Sequence, residues 1–439
     1  MSFTIFWSWQ AIVLHILLQY TVGIRVTNHT ADDPGEPLFL TPYVERGDIA
    51  TAKKLARVTL NNLEVESYAG FFTVNKTYNS NQFFWYFSSK SLDKHKAPVL
   101  LWLQGGPGKS SLKGLFLENG PITVKNGEFQ SREYHWALNH HVIYIDNPVG
   151  VGFSFTKNQK GYCTDETQIG AQLYSTLTQF FQLFPDLQQN DFFITGESYA
   201  GKYVPALAYT ILKRNSNGKT NINLKGLVIG GPWINPDSQR HFAPSKRCFT
   251  PAWLFTDNEA IQAQRRYVDN EFASVVTRSA VRKAIHVGNL SYCEMNWTVN
   301  RKYMGVDFCQ SIAPWLAEIL EHYPVTLYGG NKDDKVPYIG IVDFLRNHFN
   351  FTGADEYRSA VQYCWRVESE LAGCVRRAHM LTEIYVLNAT HYVPRDQPKR
   401  AWDMITRITH GVGFDQKEVC TAQSKKWRNV PLIKSSYSN

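Results

Sequence analysis

The 439-residue chain is poor in the features that assign a class at once: only 19 % of residues are charged, and its seven cysteines include no CxxC pair. Without paired cysteines or histidines at ligand spacing, neither a zinc site nor a dithiol motif is expected. No apolar run approaches the roughly 20 residues that cross a bilayer, so no membrane span is expected. The basic excess, formally +8, is dispersed rather than striped or interleaved with aromatics, which argues against nucleic acid as a partner. With 44 % hydrophobic and 14 % aromatic residues, disordered, collagen-like and coiled-coil classes are excluded as well.

What is present begins with a short apolar run, Ala11 to Leu18, followed by small residues up to Gly23. This pattern reads as a cleaved signal peptide over residues 1–23 and sends the chain into the secretory pathway, either secreted or lysosomal. Sequons at Asn28, Asn75, Asn289, Asn296, Asn350 and Asn388 agree with export. In that compartment Cys163, Cys248, Cys293, Cys309, Cys364, Cys374 and Cys420 are expected to form disulfides, and the odd count leaves at least one outside an internal pair.

Strand-like runs Gly70 to Val74 and Phe83 to Phe87 are followed by apolar runs without alternation: Val99 to Leu103, Val142 to Ile145, Phe192 to Thr195, Leu227 to Gly230, Val325 to Tyr328 and Glu383 to Leu387. Runs of that kind are central strands buried on both faces. Helical stretches between them, such as Thr167 to Leu183 and Pro205 to Lys213, predict βαβ units and a doubly wound, mostly parallel α/β sheet. The expected division is a core over 24–235 and 321–415, a helical cap insertion over 236–320, and a solvated basic tail over 416–439.

The sharpest chemical signal is Phe192 to Gly201, FFITGESYAG, an apolar strand running through Gly-x-Ser-x-small into a helix. Small residues around Ser198 allow the strained turn of a nucleophile elbow. An elbow serine needs an acid and a histidine later in the chain. Candidates lie in loops leaving two strands: Asp333 or Asp334 after Val325 to Tyr328, and His391 after Glu383 to Leu387. A glycine cluster, Gly105-Gly106-Pro107-Gly108-Lys109-Ser110, follows another strand. As a Walker A loop it fails, because Leu103 stands where the first glycine is required and Pro107 removes an N–H. As an oxyanion loop it fits, with the N–H of Tyr199 as a partner donor.

Together WLQGGPG (102–108), ENGP (118–121), DNPVGVGFSF (146–155), GESYAGKYVP (196–205) and HYVPRDQP (391–398) resemble the serine carboxypeptidases. The start LFLTPYVERGDIATAKKLARV, with Gln104 in place of the usual Asn, resembles the vitellogenic-like branch. The resemblance implies an α/β-hydrolase fold and a cofactor-free, metal-free enzyme that hydrolyses the last peptide bond of a peptide or protein with a free C-terminus. It implies Ser198 as nucleophile, His391 as base and Asp333, by family spacing, as its orienting acid. It also implies Gly106 and Tyr199 as oxyanion donors, and Gln104, Gly105, Glu118 and Glu197 as the site for the substrate carboxylate. Two neighbouring carboxyl groups share a proton at low pH, so an acidic optimum is expected.

Three departures stand out: Lys109 at a position usually small, Thr390 where glycine usually precedes the histidine, and a cap that is several dozen residues short. They keep open a silent homologue that binds peptides without cleaving them. An acyltransferase or esterase on the same fold is the other alternative.

Overall fold

Continuous apolar runs produce strands covered on both faces, and in the computed structural model six of them lie parallel at the middle of one sheet. The structure describes residues 33–60, 65–215, 221–243, 271–414 and 418–420. The expected signal segment 1–23, part of the expected cap and nearly all of the expected tail lie outside them. The sheet strands are β1 (Arg57–Val58), β2 (Ser67–Asn75), β3 (Ser80–Phe87), β4 (Val99–Leu103), β5 (His141–Ile145) and β6 (Phe192–Glu197). They continue with β7 (Leu224–Gly230), β8 (Val325–Gly330), β9 (Gln362–Val367), β10 (Glu370–Ala378) and β11 (Leu381–Val386). Their spatial order is β1-β2-β3-β5-β4-β6-β7-β8-β11-β10-β9, with Phe155–Thr156 paired to β3. Every neighbouring pair from β5 through β11 is parallel, and both flanks are antiparallel. This is the doubly wound α/β sheet that the runs predict.

Alternate residues of each central strand enter different cores. Leu101, Leu103, Ile143, Ile194, Leu227, Ile229 and Leu327 pack with α1 (Glu166–Leu183) and α2 (Ala200–Asn215). Leu100, Trp102, Val142, Tyr144, Phe193, Val228 and Ile384 face the other way. α1 is started by Asp165, whose side chain accepts the Gln168 N–H at 2.9 Å. Within α1, Ile169, Leu173, Thr176, Leu177 and Phe180 form its buried stripe.

Between 271 and 320 the described backbone is helical or irregular and includes α3 (Trp297–Val306). It lies against the loops leaving β4 and β5. The Ser110 N–H donates to Glu294 C=O at 2.9 Å, Asn296 N–H to Gly108 C=O at 2.9 Å, and Gly152 N–H to Cys293 C=O at 2.7 Å. Asn300 Nδ2 adds a bond to Pro107 C=O at 3.0 Å. The glycine-rich loop is thereby held by the 293–300 segment. At the far edge, Cys374 and Cys420 form a disulfide, and Cys364 Sγ lies 3.4 Å from Cys420 Sγ.

Candidate active site

Only Ser198 and Tyr199 separate the end of β6 from the start of α2, so the reversal is sharp. Ser198 adopts φ +65, a left-handed conformation that costs about 1–3 kcal/mol in a non-glycine residue and persists only under external constraint. Its N–H donates to Gly230 C=O at 2.8 Å, and its C=O accepts from Gly201 N–H at 2.8 Å and Trp233 N–H at 3.0 Å. A Cβ on Gly196 would sit 2.7 Å from Leu103 O, and one on Gly201 2.6 Å from Trp233 N, so the small residues of the motif are required by neighbouring backbone.

Gly105 faces this turn so closely that a Cβ there would lie 2.6 Å from Tyr199 N and 2.8 Å from Ser198 Cβ. Gly106, at φ +122, carries the chain away. Among the described residues neither the Gly106 N–H nor the Tyr199 N–H donates to a backbone carbonyl. These two donors, one on the turn itself and one next to Gly105, are therefore left without a backbone acceptor among the described residues.

His391 and Asp333 come together from two loops, both buried, with Nδ1–H donating to Asp333 Oδ2 at 2.7 Å. The other oxygen, Oδ1, accepts from Lys335 N–H at 2.8 Å and Val336 N–H at 3.0 Å. Three bonds orient the carboxylate, which fixes the imidazole so that Nε2 carries the free lone pair when the ring is neutral. Asp334 is exposed and takes no part in these bonds. Gly330 permits the loops to meet, since a Cβ would stand 2.3 Å from the carbonyl oxygens of Ala389 and Thr390. Thr390 does not strain this loop: the left-handed residue is Asn388, at φ +58, and the Thr390 N–H and hydroxyl both donate to Asp396 Oδ2.

A connection absent from the sequence reading is Gly230-Gly231. While Gly230 C=O holds Ser198, a Cβ on Gly231 would lie 2.9 Å from His391 Nδ1 and 3.0 Å from Asp333 Oδ2. The serine turn and the His–Asp pair thus rest on consecutive residues. The available signal was a Gly-Gly-Pro run at the end of an apolar strand.

Next to the turn, Glu118 and Glu197 are each 1 % exposed and share one partner. Gln104 Nε2 donates to Glu118 Oε1 and to Glu197 Oε1, both at 3.1 Å. The amide cannot flip, because Trp102 Nε1–H donates to Gln104 Oε1 at 2.9 Å. With both carboxyls ionised, Glu118 Oε2 and Glu197 Oε2 have no donor among the described residues. Burial, followed by the charge of Glu118 and a hydrogen bond with it, pushes the Glu197 carboxyl well above its usual range. The pair therefore retains a shared proton in acid. Gln104 holds the two groups together with both its N–H bonds, a bridging place that the sequence reading did not assign to it.

Two further groups were missed. Asp146, from the DNPVGVGFSF stretch, accepts from Ser110 Oγ at 2.5 Å, Ser111 N–H at 3.0 Å and Phe153 N–H at 2.9 Å. It anchors the end of the glycine-rich loop, and only glycine fits at position 152 beside it, a Cβ there being 1.9 Å from Asp146 Oδ2. Tyr392, 5 % exposed and adjacent to His391, is ringed by cations: Lys335 Nζ 2.8 Å from its hydroxyl, Lys113 Nζ 5.3 Å and Arg395 Cζ 4.5 Å from its ring centroid.

The family model for serine carboxypeptidases matches residues 58–252 and 252–411, two stretches that meet inside the expected cap. The chain is 42 % identical to venom serine carboxypeptidase of Apis mellifera over 436 residues, covering 87 % of this chain and 93 % of that one. It is 40 % identical to vitellogenic carboxypeptidase of Aedes aegypti over 431 residues, covering 86 % and 91 %. Among solved structures it superposes on Kex1(delta)p, a prohormone-processing carboxypeptidase from Saccharomyces cerevisiae, with a TM-score of 0.65 at 20 % identity, covering 82 % of this chain and 96 % of that one. With an elbow serine, a His–Asp pair and a bridged pair of buried glutamates set on an α/β-hydrolase sheet, and with this similarity along most of its length, the chain belongs to the serine carboxypeptidase family.

Proposed function

We propose that the chain is a serine-type carboxypeptidase that removes the C-terminal residue of peptides or proteins. The observation that carries this reading is the Glu118–Gln104–Glu197 bridge, buried beside the Ser198 turn, with two carboxyl oxygens that have no donor among the described residues. A carboxyl that keeps its proton donates to an incoming carboxylate, which an ionised pair would repel. Ser198 Oγ attacks the last peptide carbonyl while His391 Nε2 takes its proton, and Asp333 stabilises the imidazolium. The N–H groups of Gly106 and Tyr199 receive the oxyanion. His391 then protonates the leaving amine, and water resolves the acyl-enzyme through the same imidazole.

The sign of the pH dependence follows from Glu197. Its carboxyl titrates above the ordinary range, so the proton needed for binding is present in acid and lost as pH rises through that raised value. Hydrolysis of an N-blocked dipeptide should be highest in acid, fall towards about pH 8, be poor on the C-terminal amide and vanish in Ser198→Ala. Full activity at the alkaline end, or equal turnover of the amide, would overturn the carboxyl-pair mechanism.

A second reading is favoured by Lys109, whose side-chain stem passes 3.3 Å from where a Cβ on Gly106 would stand. In that reading the cation blocks the oxyanion loop and the protein binds C-termini without cleaving them. Labelling by an organophosphonate at Ser198 separates the two, since only a working triad reacts.

The signal over 1–23, the cap over 236–320 and passage through the secretory pathway, to the outside or the lysosome, belong to the same proposal. The sequon asparagines Asn289, Asn350 and Asn388 are exposed, whereas Asn296 Nδ2 donates to Gly150 C=O at 2.6 Å.

A further inference from the structure

We infer that Asp307 is a positioning residue for the hydrolysis: it holds the Tyr199 side chain, and through it the Tyr199 N–H, where the oxyanion forms. The inference rests on the reading above, in which that N–H is one of the two oxyanion donors.

An oxyanion donor must keep its N–H for the substrate, so that N–H cannot also fix the donor's direction. In Tyr199 it donates to no backbone carbonyl among the described residues, and the residue precedes α2, which starts at Ala200. The peptide unit that carries this N–H runs from Ser198 C=O to Tyr199 and is planar, so holding both of its ends aims the N–H. The first end is held where Ser198 C=O accepts from Gly201 N–H at 2.8 Å and Trp233 N–H at 3.0 Å. The second end has only the Tyr199 side chain, 2 % exposed, as a handle.

That handle is gripped by the turn Asp307–Cys309, which directly follows α3. The Tyr199 hydroxyl donates to Asp307 Oδ2, and its ring stacks on Phe308 with centroids 5.8 Å apart and planes 10° from parallel. Phe308 reaches the first end as well, because its C=O accepts from Trp233 Nε1–H at 3.2 Å and its ring stacks on Trp233. Residues 307 and 308 thus connect to both ends of the peptide unit that bears the donor.

Lys202, from the GESYAGKYVP stretch, makes a carboxylate tenable at this depth. Its ammonium, 1 % exposed, donates to Asp307 C=O and to Asp307 Oδ2, the latter at 3.2 Å. Glu166, the first residue of α1, is buried close by. Burial, followed by the charge of Asp307, pushes the Glu166 carboxyl well above its usual range against the pull of Lys202, so it keeps a proton and one carboxylate balances the ammonium. The bond that Asp307 accepts from Tyr199 is therefore charge-assisted and shorter-reaching in its tolerance of displacement than a neutral one.

The test compares Tyr199→Phe, Asp307→Asn and Asp307→Ala with Tyr357→Phe, which removes a buried hydroxyl-to-carboxylate bond of the same kind, to Glu383 at 2.6 Å, that has no link to the Ser198 turn. For each, kcat and KM on a blocked dipeptide, the rate of Ser198 labelling by an organophosphonate and the melting midpoint are measured. Tyr199→Phe should lower kcat and the labelling rate by about tenfold, part of the about 100- to 1000-fold that loss of a whole donor costs, with KM changed by less than about twofold. Asp307→Ala should lose more, and Asp307→Asn, which keeps an oxygen for the hydroxyl, should recover much of that loss. Tyr357→Phe should lower the midpoint and leave kcat in place. Tyr199→Phe with the parent kcat and labelling rate, or Tyr357→Phe losing as much kcat as Tyr199→Phe, overturns the inference and leaves the carboxypeptidase reading standing. If Asp307→Ala does not fold, Tyr199→Phe decides, since it removes one oxygen and keeps the ring stack. A parent protein that neither cleaves nor is labelled overturns both.

Discussion

At the scale of single residues, the site depends on places where no side chain fits. Gly231, at φ +46, is the sharpest example, since an added Cβ meets both His391 Nδ1 and Asp333 Oδ2 at about 3 Å. Gly231→Ala should lower kcat/KM by about tenfold or more, approaching 100-fold if the His–Asp pair is displaced by about 1 Å. Gly411 has φ +67 with nothing within 4 Å of a built Cβ, so Gly411→Ala carries similar backbone strain, about 1–2 kcal/mol, without touching the site. Both variants should melt a few degrees lower, and only Gly231→Ala should lose activity. Equal activity in the two would mean that Gly231 does not set the His–Asp geometry.

Elements differ in how readily their sequences reveal them. β4, β5 and β7 are covered on both faces, so their apolar runs marked them directly. The hairpin of β9 and β10 lies at the sheet edge with Arg366, Glu370 and Arg377 exposed, and its mixed composition shows no run. Likewise α2 starts at Ala200, five residues ahead of Pro205: the elbow turn sets the helix start, and the helix tolerates the proline's lost bond in its second turn. At the site, the elbow was legible because its rule is local. Pairing Glu118 with Glu197, or choosing Asp333 over Asp334, depends on loops brought together by the fold, and only family resemblance supplied them.

The same edge hairpin makes a covalent prediction. Cys374 and Cys420 close a 46-residue separation, while Cys364 sits opposite Cys374 in register and 3.4 Å from the Cys420 sulfur. In Cys374→Ala, refolded with glutathione disulfide as the two-electron acceptor, Cys364 should bond to Cys420 and stability should be nearly kept. In Cys420→Ala neither pairing is possible, and the loss should be about 2–4 kcal/mol. Disulfide mapping by mass spectrometry reads the outcome, and equal destabilisation of the two variants would show that Cys364 cannot take over.

Over the whole molecule, buried titratable groups of opposite sign set the pH range in which the fold is most stable. Burial lowers His135 to about 3, His140 to about 3 and His141 to about 4, so these side chains are neutral in the folded state while the unfolded chain takes up protons below about 6.5. Each favours unfolding progressively as pH falls from that value towards its folded one. Burial raises Asp146 to about 6 and pushes Glu166 and Glu197 well above the usual range, so these hold protons that the unfolded chain releases above about 4. Their contribution is present in acid and lost as pH rises through the folded values. Between about pH 4.5 and 6 the two groups oppose each other and stability should vary little. Below about 4 the unfolded carboxyls are protonated as well, the histidine effect stands alone, and stability should drop. Above neutrality Glu166 and Glu197 favour unfolding, partly offset by Tyr392, which is ionised in the folded state above about 6. The melting midpoint should therefore peak in mildly acidic buffer, in the same range where the Glu118–Glu197 pair keeps its shared proton. A midpoint that climbs up to about pH 6.5 and then holds level would show that the buried histidines, rather than the carboxyls, govern the folded state.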